Sequence, residues 1–256
     1  MVRLFVGSFL GDQEAARLGH FAEAWLPGLK KQLPAGHNAR FIAPAKLHMT
    51  WLFLGEVEED HVEAVKSWLA TAVQKLQETA GSHFREENSG ELESAKLDEG
   101  RLDIEVSYDN LEGWPGKDKA RVIVATPSAV PPLFAKLGNE LRQEFEAWIK
   151  DAGPGGGAGL FNFDKNEPRY VEFRPHLTIM RLNPAIDLSS SAVLSLLQQL
   201  LPVQHHIEEM HLVRSQNDGG GKKAGGNSRN SASSDKKSGG HINGRRQDYE
   251  IIASPW

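Results

Sequence analysis

Two short segments of the chain carry the same polar residues at the same spacing inside otherwise apolar runs. Lys46-Leu47-His48-Met49-Thr50 has a counterpart in Arg174-Pro175-His176-Leu177-Thr178, a basic-x-His-x-Thr pattern that recurs 128 residues later, from His48 to His176. With ten histidines and five threonines in 256 residues, chance supplies only ~0.2 His-x-Thr triplets, so a pair of them is a signal rather than a coincidence. On a strand, residues i and i+2 point to one face. His48 with Thr50, and His176 with Thr178, therefore each present an imidazole beside a hydroxyl, and Lys46 and Arg174 share that parity.

Burying such groups costs free energy unless they find partners. A lone His-x-Thr is most often a core histidine satisfied by a neighbour. The duplication points instead to a pseudo-symmetric polar cleft with a ligand between two imidazoles. One imidazole can act as base toward water while the other, protonated, hands its proton to a leaving alkoxide, each contributing roughly 10²–10⁴-fold. That is the chemistry of phosphodiester hydrolysis. Thr50 and Thr178 would donate hydrogen bonds to the non-bridging oxygens as charge builds up there, and Lys46 and Arg174 would add positive potential at the rim. A metal site fits less well, because each half offers a single imidazole with no Asp or Glu at matching parity. His205, His206 and His211 sit in a polar setting and read as surface histidines without a role.

Periodicity and punctuation place the elements that must hold these groups. Strand-like runs cover 3–9, 46–55, 101–108, 121–127, 172–182, 208–215 and 249–253. Helical patterns cover 12–32, 59–79, 131–149 and 189–201. This alternation predicts a mixed architecture of sheets carrying amphipathic helices on their outer faces. The apolar fraction of 39% suffices for a packed core. The net charge of -5 argues against binding nucleic acid through bulk positive field. The chain has no cysteine, which excludes disulfides and thiolate chemistry and fits a cytoplasmic setting. No apolar stretch is long enough to span a bilayer, and the N-terminal run reads as a first strand rather than a signal peptide.

Two glycine-rich stretches, 153–159 and 217–246, read as flexible inserts. Gly153, Gly155 and Ala158 have the spacing of a dinucleotide fingerprint but follow a helix instead of a strand. "GGGKK" lacks the spaced glycine and the hydroxyl residue of a phosphate loop. The second insert carries seven Lys or Arg against two Asp. It reads first as a solubilising segment, with a phosphate-recruiting flap as the functional alternative.

The paired motifs resemble those of the two-histidine (2H) phosphoesterases, and their surroundings are similar to the RNA 2′,3′-cyclic phosphodiesterase branch, historically called 2′-5′ RNA ligase. The shared pieces are "RLFVGSF", "RF" before "LHMTWLFLGEV", "GWPGKDKARVIVA", "FRPHLTIMRL", and "EMHLVRSQ" followed by "YEII". They span nearly the whole chain in order. An acidic insert near 85–100 and the two glycine-rich inserts depart from the pattern.

The resemblance implies a single bilobal, pseudo-symmetric α+β domain over 1–256, with antiparallel sheets lining a central cleft and helices outside. It implies hydrolysis of a 2′,3′-cyclic phosphate at an RNA end to a 2′-phosphate, with weak reverse ligation, no metal and no cofactor. His48 would be the proton donor and His176 the proton acceptor, although the half-sites by themselves look equivalent. Arg174, Lys46 and Arg181 are candidate phosphate contacts. Arg181 ranks below Arg174 because strand parity turns it away from His176. Phe41 is a candidate base-stacking platform, with core burial the more ordinary fate of such a residue. The expected partners are RNA with a cyclic-phosphate end or a small cyclic nucleotide, with no membrane and no obligate protein partner. A cyclic phosphodiesterase acting on a small nucleotide, or a non-catalytic nucleotide- or RNA-binding module using the same cleft, are the alternatives.

Overall fold

The structure, a computed structural model, describes residues 1–87, 95–98, 101–151, 161–162, 173–189, 192–215 and 249–255. In strand β1 (Val2–Phe9) every residue from Leu4 to Ser8 is buried, so both of its faces are covered. β1 lies inside a nine-stranded sheet that also holds β2 (Asn38–Phe41), β3 (His48–Val57), β6 (Asn110–Trp114), β7 (Ala120–Thr126), β8 (Phe161–Asn162), β9 (Leu177–Ile186), β11 (His211–Ser215) and β12 (Tyr249–Ala253). The main order is β12-β11-β1-β3-β9-β7-β6, with β8 paired to β3 and β2 to β9. A second sheet joins β4 (Ala95–Asp98), β5 (Arg101–Tyr108) and β10 (Val203–Ile207) in the order β10-β5-β4. All pairings are antiparallel.

The centre of the large sheet has near-twofold logic. β3 and β9 meet at one register pair, Met49 opposite Leu177, and then part. Beyond the parting, β8 takes over pairing with the end of β3 at Glu56 and Val57, and β2 takes over along β9 from Met180 to Asn183. β1 flanks β3 as β7 flanks β9, and β11 and β6 lie next outward on either side. The α+β class with antiparallel sheets and outer helices is therefore as expected.

Among the described residues, four helices cover the sheets: α1 (Asp12–Gln32), α2 (Val62–Glu87), α3 (Pro132–Asp151) and the short α4 (Ala192–Leu197). α3 buries Leu133, Phe134, Leu137, Leu141 and Phe145, a stripe at three- and four-residue spacing that faces one side. Fully burying each such side chain is worth roughly 1.5–3 kcal/mol. α1 has no side-chain cap but carries Asp12 and Glu14 in its first turn and Lys30 and Lys31 in its last, charges that match the helix dipole. Beneath the site, Trp51 of β3 lies edge-on to Phe134 at 4.8 Å and parallel to Phe173 at 5.6 Å. Its indole N–H donates to Ser8 Oγ at 2.8 Å. No helix among the described residues is long and apolar enough to cross a membrane.

The elements differ from the periodicity in particular places. β2, β4, β6, β8 and β10 were not expected. β6 contains Gly113 and runs into Trp114-Pro115-Gly116, so its local pattern does not mark a strand. In fact a side chain at Gly113 would lie only 2.8 Å from Leu188 and 2.9 Å from Ala120, so that glycine serves close packing inside a strand. The run at 172–182 begins its strand only at Leu177 and continues to Ile186. The stretch near 85–100 contributes the end of α2 and strand β4, and 88–94 and 99–100 lie outside the described residues, as do 153–159 and 217–246. The surface assignment of His205 is overturned. Alternation along β10 turns it inward, and it is 1% exposed, with Nε2–H donating to the Phe9 carbonyl at 3.0 Å. His206, one residue on, faces out and pairs with Asp103 at 2.7 Å.

This packing has two consequences for stability. A Cβ at Gly138 would lie 2.5 Å from the Phe173 ring, so Gly138→Ala should destabilise the fold by about 1–3 kcal/mol in urea unfolding. Burial pushes the His205 imidazole down to about 4 from 6.5, so the unfolded chain binds the extra proton between those values. Stability should be complete above pH 6.5 and fall by up to about 3 kcal/mol as the pH drops to 4. Urea midpoints measured across that range check this, and His205→Leu should flatten the slope.

Candidate functional site

The register pair Met49–Leu177 dictates what its neighbours do. In an antiparallel pairing, one step along each strand sets His48 toward Thr178 and Thr50 toward His176. All four polar side chains consequently share one face, and the two histidines are diagonal neighbours, a relation that spans roughly 7–8 Å between backbones. Met49 and Leu177 point the other way and are fully buried. The four polar residues are half-buried.

Each imidazole is held identically. His48 Nδ1 lies 2.7 Å from the Lys46 carbonyl, and His176 Nδ1 lies 2.9 Å from the Arg174 carbonyl. A carbonyl only accepts, so Nδ1 carries the proton in both rings and Nε2 is left at the outer edge to take or give one. The backbone two residues before each histidine thus sets its tautomer.

The repeat extends past the motifs. The pairing of β1 with β3 skips from Thr50 to Leu52, and that of β7 with β9 skips from Thr178 to Met180, so Trp51 and Ile179 are matching bulge residues. A bulge adds one residue and inverts parity beyond it. Arg181 therefore returns to the His176 face, correcting the parity argument that ranked it below Arg174. Its counterpart Phe53 returns to the His48 face, 43% exposed, with the Arg3 guanidinium 5.9 Å from its ring centre. A second irregularity follows at Gly55, whose φ of 88° suits glycine.

Lys46, His48, Thr50, Thr178 and Arg181 line a cleft of about 210 Å³, together with Arg3, Phe5, Phe53 and Tyr249. The aromatic environment differs between the halves. His48 stacks on Phe5 at 4.8 Å and meets Tyr249 edge-on at 5.1 Å, while His176 rests against Trp114 at 4.4 Å. Neither His176 nor Arg174 is among the residues that line this volume. The Arg174 guanidinium pairs with Glu112 at 2.6 Å and lies 4.9 Å over the Trp114 ring. Phe41 is not at the cleft either, since it pairs with Met180 on the opposite face and packs between α1 and α4 near Phe21 and Leu196. Sequence reasoning assigned no role to Phe53, Tyr249, Trp114 or Glu112. Phe53 was findable, because it stands at the same offset from His48 as Arg181 does from His176.

Burial depresses the proton affinity of both histidines. For His48 desolvation dominates, opposed by the bond to the Lys46 carbonyl and reinforced by His176 and Arg181. For His176 desolvation again leads, opposed by the Arg174 carbonyl. Arg174 and Arg142 push it down further, and Glu112 pushes it back up. Both rings are neutral above pH 6.5 when the cleft is empty, and an anion between them would favour protonation. Histidine-resolved NMR should show both midpoints below 6.5 with Nδ1–H tautomers. Added inorganic phosphate should raise the midpoints. Among the described residues no group of three or more His, Asp or Glu is placed to hold a metal ion.

No family model matches the chain and no curated protein matches it. Solved structures do. A crystal structure of a phosphoesterase is 19% identical with a TM-score of 0.45, covering 84% of this chain and 89% of that one. E. coli LigT complexed with NADP+ is 19% identical with a TM-score of 0.46, covering 86% and 90%. TT0787 of Thermus thermophilus is 22% identical with a TM-score of 0.44, covering 83% and 88%. At such identities and TM-scores the chemistry of the cleft rests on its own geometry.

Proposed function

We propose that the chain is a two-histidine phosphoesterase that opens a 2′,3′-cyclic phosphate at an RNA end to leave a 2′-phosphate, without a metal or cofactor. The observation that supports this reading is the pair of imidazoles, each tied at Nδ1 to the carbonyl two residues earlier, on strands whose register makes them diagonal neighbours on one face of the sheet. His176 Nε2 takes a proton from water as the water oxygen bonds to phosphorus. The P–O3′ bond breaks, and His48, protonated on binding of the anionic substrate, gives its Nε2 proton to the departing 3′-oxygen. The same steps in reverse give weak 2′-5′ ligation.

The remaining cleft residues fall into place around the phosphorus. Thr50 and Thr178 donate to non-bridging oxygens, and Arg181 and Lys46 supply the positive charge that matches the developing dianion. The five-membered cyclic ester is strained, so proton transfer and charge stabilisation are sufficient driving elements. Phe53, exposed in the cleft and backed by Arg3, offers a surface for stacking a base next to the reacting phosphate.

The test is hydrolysis of a cyclic-phosphate oligoribonucleotide compared with 2′,3′-cyclic mononucleotides. Turnover should survive EDTA. His48→Ala and His176→Ala should each fold and lose about 10²–10⁴-fold in kcat, and Arg181→Ala should raise KM by about tenfold. Because both empty-cleft histidines titrate below their ordinary value, kcat/KM should be bell-shaped with its maximum on the acid side of pH 6.5. Full turnover in either histidine variant would end the mechanism. Binding without turnover in the parent chain would make the cleft a nucleotide- or RNA-binding module. A strong preference for mononucleotides would make a small cyclic nucleotide the substrate.

A further inference from the structure

The two half-sites share backbone, tautomer and bulge, so the division into acid and base must come from what surrounds the rings. We infer that Glu112 is the positioning residue that makes His176 the proton acceptor. This inference rests on the hydrolytic reading above and adds a residue to it.

Sheet register puts Glu112 on the reacting face. It lies opposite Val124 on β7, which lies opposite Thr178 on β9. Trp114 follows the same route through Val122 to Arg181. The Glu112 carboxylate is a hub with three donors: Trp114 Nε1 at 2.9 Å, Thr126 Oγ1 at 3.1 Å and Arg174 Nη2 at 2.6 Å. Two of those donors touch the His176 assembly. Trp114 packs on the imidazole at 4.4 Å, and Arg174 supplies the carbonyl that fixes Nδ1–H. One carboxylate therefore holds both the wall and the tether of a single histidine.

It also manages the charge. The cationic groups that disfavour protonation of His176 are Arg174 from its own segment and Arg142 from α3, while between the two imidazoles it is His176 that disfavours protonation of His48 on β3. Glu112 on β6 is the anion that opposes the two arginines. Its own hydrogen bonds to Trp114, Thr126 and Arg174 outweigh desolvation and hold it ionised. A base must accept a proton in the transition state, and a fixed neighbouring anion lowers the cost of that step.

The corresponding place in the other half is occupied differently. Thr50 lies opposite Gly7, and Gly7 opposite His211, so an imidazole stands where Glu112 stands in the His176 half. His211 hydrogen-bonds Ser254 Oγ at 2.7 Å, and burial lowers its proton affinity although Glu209 opposes this. Among the described residues, no carboxylate acts on His48 in the way Glu112 acts on His176. The asymmetry leaves His48 as the ring that more readily releases a proton.

Glu112→Gln removes the charge, keeps an acceptor oxygen for the Trp114 indole N–H, and turns its amide NH2 toward the Thr126 hydroxyl, which can accept. In NMR titration of the full chain, with the His176 signal assigned by its loss in His176→Gln, the His176 midpoint should fall by about half a pH unit or more. The His48 midpoint should move less. Arg174→Gln should move the His176 midpoint upward, which keeps the test alive should Glu112→Gln fail to fold. With a cyclic-phosphate substrate, the acid limb of kcat/KM in Glu112→Gln should follow the His176 midpoint down, and kcat should drop about tenfold or more with KM little changed. A His176 midpoint that stays put in the folded variants overturns the inference, even if the parent chain turns over. Absence of turnover in the parent chain overturns the hydrolytic reading on which the inference rests.

Discussion

One backbone contact governs this molecule: the meeting of β3 and β9 at Met49 and Leu177. Antiparallel pairing leaves no freedom about what flanks such a pair. Once these two apolar residues are driven into the core, the residues on either side must turn to the opposite face, and there they are His48, Thr50, His176 and Thr178. Because the pairing is so short, the strands separate immediately and the gap between them becomes a cleft instead of closed sheet. The hydrophobic term thus builds the polar site, since burial of Met49, Leu177 and their neighbours Trp51 and Ile179 orients the imidazoles.

Two bulges complete the arrangement. A regular strand would have sent Phe53 and Arg181 into the core, where a guanidinium without a partner is prohibitive. An extra residue at Trp51 and at Ile179 inverts the alternation. Burial in the two strands then matches over this stretch, with two consecutive buried residues followed by an exposed one. Repetition of the irregularity at the same offset as the motifs indicates that the irregularity belongs to the site design as much as the histidines do. The residues that differ at matched places, Phe53 against Arg181 and His211 against Glu112, are where a symmetric scaffold acquires a direction.

The core supports this with close contacts rather than with strong bonds. Phe173 lies parallel to Trp51, edge-on to Phe134 at 5.2 Å, and so close to Gly138 that no side chain fits there. The segment that carries Arg174 and His176 therefore leaves a rigid aromatic anchor before it enters β9. The ordering of His176 begins in this packing and continues through Glu112, whose partners come from three different strands or segments.

The paired His-x-Thr motifs, the buried strands that carry them and the long amphipathic helices were legible in the sequence, because each is a local pattern: period two, period near 3.6, or a repeated triplet. Strands such as β6 and β10 were not, since Gly113 resembles a turn and the polar run around His205 resembles surface until a partner strand makes alternation meaningful. Which basic residue lines the cleft was likewise beyond reach. Regular strand parity favours Lys46 and Arg174 over Arg181, and only the bulge at Ile179 and the ion pair with Glu112 bring Arg181 into the cleft lining and hold Arg174 elsewhere. Local chemistry determined which groups could act. The non-local register between β3, β9, β7 and β6 decided which of them meet, because a strand's facing is a relation between two chains of hydrogen bonds and is not a property of either one alone.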